Sequence, residues 1–142
     1  NALLVLAFIN GIMIIGRAFA GSIVIKIKTT GMLFLSSVFA FAGLQLLANS
    51  SGSFVFISAA FFAIGVTFFW PTTLAFISEN IPESGAFGMS LIGGLGMLSV
   101  SLVLPLMGRF LDNSVGAEVI QKMSILPFAL IFLYGGLYLR KR

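Results

Sequence analysis

One arginine stands in the middle of an apolar run, in the stretch GIMIIGRAFAG at residues 11–21, with no charge before it and none after it until Lys26. A guanidinium offers five N–H donors in a planar fork and accepts nothing, so its chemistry is recognition of carboxylates, phosphates or carbonyl oxygens. Asn10, Arg17 and Gly21 fall within about 40° of one another on a helix and form one polar stripe. A second stripe, Ser58, Gly65, Thr72 and Glu79, recurs every seven residues and drifts slowly along one helix face. Thr67 and Trp70-Pro71 lie between its members. These are binding residues rather than reacting ones. The chain has no histidine, no cysteine and only four acids, and all four stand near segment ends. That leaves no metal set and no nucleophile–base pair. The sequence GGLG at 93–96 sits inside an apolar run and does not form a phosphate-cradling loop. No enzyme activity, metal or cofactor is expected.

The elements that must carry these residues are set by hydropathy. Of 142 residues 59% are hydrophobic and 8% charged, and the mean hydropathy is +1.15. Ordinary soluble domains carry roughly 25% charged residues. Uncharged runs of 50, 25 and 17 residues extend over 29–78, 84–108 and 123–139, and a bilayer is crossed by about 20 apolar residues of helix. Turn formers divide the chain into five expected spans at 3–27, 32–48, 54–78, 86–111 and 120–139. The expected fold is all-α, a polytopic membrane bundle, since lipid cannot satisfy an open strand. A net charge of +4 without a clustered basic face gives no footprint for nucleic acid. Lysines and arginines instead report topology. Lys26, Lys28, Arg140, Lys141 and Arg142 share one side, while Arg109 and Lys122 share the other, which places the C-terminus in the cytoplasm. The expected location is a bacterial cytoplasmic membrane, as an integral multi-pass protein. A start at Asn1 inside an apolar run leads to the expectation that the chain belongs to a longer one.

Arg17 would stand about 4 Å from the midplane of the first span, too deep to reach the interface along lipid. An unpaired arginine near the bilayer centre costs at least about 2.5 kcal/mol on insertion scales. It is therefore expected to face protein or a water-filled cavity. The stripe on the third span is expected to meet it. The fourth span, with Gly88, Gly93, Gly94 and Gly96 and small residues at Ala86, Ser90 and Gly94, is expected to pack closely through small-xxx-small contacts. Spans one, three and four thus read as cavity or interface helices. Spans two and five, whose polar groups are few beyond Gln45 and Ser124, read as outer, lipid-facing helices.

This arrangement resembles helices eight to twelve of a major facilitator superfamily transporter, over essentially the whole chain. The resemblance is carried by GRAFAG followed by KIKTTG, by FFWPTTLAFISENIPESG and by GMSLIGGLGMLSVSLVLPLMGRFLDN. In that family helices eight, ten and eleven line the central cavity, and nine and twelve lie outside. The family's loop signature, Gly-x-x-x-Asp-Arg-x-Gly-Arg-Arg, is matched only at Gly21 and, with lysine for arginine, at Lys26. Ile25 and Lys28 replace its acid and second glycine.

The resemblance implies transport of a small solute by alternating access between two bundle halves, as a symporter or antiporter with a coupling proton or sodium ion, or down the solute's own gradient. The partners would be that solute, the lipid bilayer and an N-terminal half of the same chain. Candidates for the substrate cavity are Asn10, Arg17, Thr67, Trp70 and Thr72. Candidates for a cytoplasmic gate are Arg17, Gly21, Lys26 and Glu79. Blander roles stand beside these: Arg17 as a structural pair or carbonyl cap, Glu79 as a solvated carboxylate, Trp70 as a packing residue, and the hydroxyls bonded to their own backbone. Gln45 reads as a helix–helix hydrogen bond, and Arg109 with Asp112 as a local pair. The alternative function is a complete five-span anchor or assembly subunit without transport activity, with a channel-like protein a distant third.

Overall fold

The computed structural model describes residues 2–113 and 115–140, and the side chains of these except at 2 and 24–26. Among them there is no strand. The helices are α1 (Ala2–Lys26), α2 (Thr29–Asn49), α3 (Phe54–Asn80), α4 (Gly85–Asn113), α5 (Gly116–Met123) and α6 (Ile125–Arg140). Counting α5 and α6 as one unit, five segments are long and apolar enough to cross a membrane. The chain is a multi-pass helical membrane protein. The last span starts at Gly116, four residues earlier than turn chemistry predicts, because Gly116–Met123 forms a separate short helix. It breaks from α6 at Ser124, three residues before Pro127. That proline has no N–H for the Met123 carbonyl and its ring crowds the same group.

Side chains finish the helices where the sequence has its polar clusters. Asn49 Nδ2 donates to the Gln45 carbonyl and Ser50 Oγ to that of Leu46. Asn80 Nδ2 caps the Phe76 carbonyl and Asn113 Nδ2 that of Arg109. Each side chain donates to the carbonyl four residues earlier, in the last turn of the helix. Between α3 and α4, Pro82–Ser84 make one 3-10 turn, and Gly85 with φ +47° reverses the chain into α4.

The centre of the bundle is the antiparallel pair α2–α3, the most extensive helix contact in the molecule. Buried small residues lie along it, Ser36, Ser37, Ala40 and Gly43 on α2 and Ser58, Gly65 and Thr72 on α3. A Cβ on Gly65 would overlap the backbone of Ala40, and one on Gly43 would overlap the backbone of Phe62. The two main chains therefore touch directly. α1 packs on α3, and α5 and α6 pack on α2. Gln45 Nε2 donates to Ser124 Oγ at 3.1 Å and ties α2 to the α5–α6 junction. α4 leans on α3 with far less contact.

The expected division into inner and outer helices is corrected by this packing. Of the apolar window of α2, 39% is buried, against 6% for α1 and none for α4. Span two is thus the most enclosed helix rather than an outer one. In lipid, association is driven by close van der Waals fit, which small residues permit, and not by polarity alone. The small-xxx-small set expected on the fourth span makes no such fit. Ala86, Ser90 and Gly94 are exposed, and nothing lies within 4 Å of a Cβ placed on Gly93 or Gly94.

Alanine at Gly43 or Gly65 must push two backbones apart. Each substitution is expected to destabilise the protein by about 1–3 kcal/mol, whereas Gly94→Ala should change stability by less than about 0.5 kcal/mol. Unfolding of the three variants in mixed detergent micelles, read by circular dichroism, tests this ordering.

Candidate functional site

α1, α3 and α4 enclose an open cleft of about 410 Å³. α3 contributes Val66, Phe69, Trp70 and Thr73, and α4 contributes Ile92, Leu95, Gly96 and Ser99. Both sets have the spacing i, i+3, i+4, i+7, so each is one face of a helix. Arg17 is the charged residue in the lining. It lies nine residues before the end of α1, or about 13.5 Å along the axis, close to the middle of that helix.

Two tight contacts set the shape of the cleft. Gly16 lets α1 approach α3, since a Cβ there would meet Thr67 Cγ2 at 2.7 Å. This contact fixes the height of Arg17, the next residue. Gly96 lets α4 receive the ring of Trp70, whose outer carbons would stand 3.1 and 3.3 Å from an added Cβ. Trp70 is the only tryptophan of the chain and remains 43% exposed, so it packs along α4 and still shows surface to the cleft. Within the lining, Thr73 Oγ1 donates to the Phe69 carbonyl at 2.7 Å and Ser99 Oγ to that of Leu95 at 2.9 Å. Both hydroxyl protons are engaged, which leaves their oxygens as acceptors.

Among the predicted cavity residues, the structure brings Arg17 and Trp70 together and places the others elsewhere. Asn10 is exposed and donates to the Leu6 carbonyl at 2.9 Å. Thr67 is buried, with its hydroxyl given to the Ala63 carbonyl. Thr72 is fully buried in the α2–α3 seam, and its Oγ1 has no partner among the described residues. The seven-residue stripe on α3 does not face Arg17. Gly65 abuts Ala40, Ser58 Oγ meets Ser50 Oγ, and Glu79 Oε2 accepts from Thr29 Oγ1 at 2.7 Å. It faces α2, roughly a quarter turn from the cleft face of the same helix.

The gate candidates are not assembled either. Arg17 makes no ion pair or hydrogen bond among the described residues, and Glu79 is tied to the first turn of α2. Gly21 is exposed, with nothing within 4 Å of an added Cβ. The side chain of Lys26 lies outside the described residues. The expected Arg109–Asp112 pair does not form among them. Lys122 sits over the ring of Phe110 at 5.9 Å. The interhelical role expected of Gln45 is the one it has.

Sequence reasoning missed Val66, Phe69, Thr73, Ile92, Leu95, Gly96 and Ser99. Their signal is the shared i, i+3, i+4, i+7 spacing, but in helices apolar on every side that spacing does not stand out. In comparison with known proteins, no family model matches the chain, and neither does any curated protein or solved structure.

Gly16→Ala is expected to destabilise the α1–α3 contact by about 1–3 kcal/mol. Thr67→Ser removes the opposing Cγ2, so the double variant should recover at least half of that loss. A double-mutant cycle on unfolding free energy measures the coupling, and additive effects would mean that this contact does not position Arg17.

Proposed function

We propose that the chain is part of a secondary solute transporter that works by alternating access, with its solute bound in the cleft between α1, α3 and α4. The carrying observation is Arg17, a permanent charge near mid-helix that lines an open cleft with no counter-charge among the described residues. In a bilayer such a residue is costly unless it meets water or a partner, and intramembrane charges mark solute and ion paths. Transporter sites of this kind lie near the bilayer midplane between packed bundles. The low enclosure of α1 and α4, which flank the cleft, fits helices that meet a further bundle across it. The resemblance to the major facilitator superfamily supports the same reading and supplies its partner, an N-terminal half of the same chain. The excess of lysine and arginine at the Lys26 and Arg140 ends supports a cytoplasmic C-terminus. A proton, a sodium ion or the solute gradient would drive the cycle.

The second reading is a membrane anchor or assembly subunit. The exposed apolar surfaces of α1 and α4 favour it, because lipid alone can cover them. The two readings differ in how water reaches the cleft. In the natural full-length protein in proteoliposomes, a cysteine at Ser99 is expected to react with a membrane-impermeant maleimide added to either face. A cysteine at the exposed, non-lining Leu98 should stay unreactive. Reaction of Ser99→Cys from one face only, or from neither, would exclude alternating access and leave the anchor reading.

A further inference from the structure

We infer that the cleft binds a small organic monoanion with an apolar, ring-bearing body, its anionic group on Arg17 and its body along Trp70. This inference rests on the solute-binding reading of the cleft.

The charge balance comes first. The chain has four acids, and none of them lines the cleft. Glu79 accepts from Thr29, Glu83 lies in the 3-10 turn, Asp112 is near the end of α4, and Glu118 is in the first turn of α5. The positive charge of Arg17 therefore has no neutralising group from the lining. One negative charge on a ligand completes it, through charge-assisted and often bidentate hydrogen bonds. A dianion would leave a charge uncompensated in an apolar setting. Among the described residues a zwitterion finds no acid for its cationic end, and a cation would be repelled by Arg17.

The walls select the rest of the ligand. Besides Arg17, the polar side-chain groups of the lining are the indole N–H of Trp70 and two hydroxyls, both with their protons engaged. A sugar or other polyol, which donates and accepts at every carbon, would lose its water and find too few partners. An apolar body meets Val66, Phe69, Ile92 and Leu95 without that loss. Trp70, held against Gly96, offers a flat surface on which a ring can pack. A volume of about 410 Å³ lies in the range of small-molecule sites. Thr73 and Ser99 can each accept one hydrogen bond from a ligand donor, so a ring bearing a hydroxyl or N–H remains compatible.

Protection of the Ser99→Cys probe tests the inference in the full-length protein. Benzoate and phenylacetate are compared with their neutral isosteres, benzamide and phenylacetamide. The acids are expected to slow maleimide labelling about tenfold at concentrations where the amides have little effect, as loss of a charged hydrogen-bond partner predicts. Arg17→Gln should weaken that protection about ten- to a hundredfold. Arg17→Lys, which keeps the charge and loses the fork, should fall between. The acid–amide comparison needs no change at Arg17, so a poorly folding arginine variant does not decide the matter. Labelling from both faces with acids and amides alike without effect would overturn the anion site and leave transport standing. Protection by the acids with labelling from one face only would do the reverse. Full protection retained in Arg17→Gln would also overturn the inference.

Discussion

Gly43 and Gly65 bring the main chains of α2 and α3 into direct contact, Gly43 against Phe62 and Gly65 against Ala40, and the positions of the other helices follow from that seam. Lipid tails are as apolar as leucine, so burying leucine between two membrane helices gains little over leaving it in lipid. What a protein interior adds is density, and density between helices requires small side chains where the axes come closest. α3 spends one face on this seam. It uses a second for α1, through Gly16 and Thr67, and a third, through Val66, Phe69, Trp70 and Thr73, for the cleft.

The cleft exists because α4 does not close on α3 as α2 does. Trp70 stands between them and meets α4 at Gly96, and a ring of that size holds the axes apart where small residues would let them meet. Arg17 reaches the resulting space from α1. Its guanidinium fork carries donors only, so water or acceptor groups must meet it there. The acids of the chain stand near the helix ends, and none of them lines the cleft.

The polar stripes seen in the sequence were real features of helix faces, but they did not say which neighbour each face meets. Ser58, Gly65, Thr72 and Glu79 do lie along one face of α3, and that face meets α2 rather than Arg17. Hydroxyls in these helices are largely occupied by their own backbone. Thr67, Thr73, Ser99 and Ser101 each bond the carbonyl four residues earlier. A threonine in a membrane helix is therefore weak evidence for a binding site, and a glycine opposite bulky neighbours is stronger evidence for a seam. The reading of α2 as an outer helix erred for this reason, because it weighed polarity and overlooked Ser36, Ser37, Ala40 and Gly43.

By itself the sequence determined that the chain is helical and multi-pass, and marked the turns to within a few residues. The helical runs are too apolar to be anything else, and Asn, Ser, Gly and Pro interrupt them where the backbone needs other partners. It also singled out Arg17 and Trp70, since a charge and an indole stand out in a field of aliphatic side chains. Only the tertiary structure decided that α2 is central, that Glu79 serves Thr29, and that apolar residues of α3 and α4 complete the cleft. Those outcomes depend on how surfaces fit. Every face of these helices is apolar enough for lipid, so hydropathy gives no direction, and the choice of neighbour falls to the shapes of side chains brought together from distant parts of the chain.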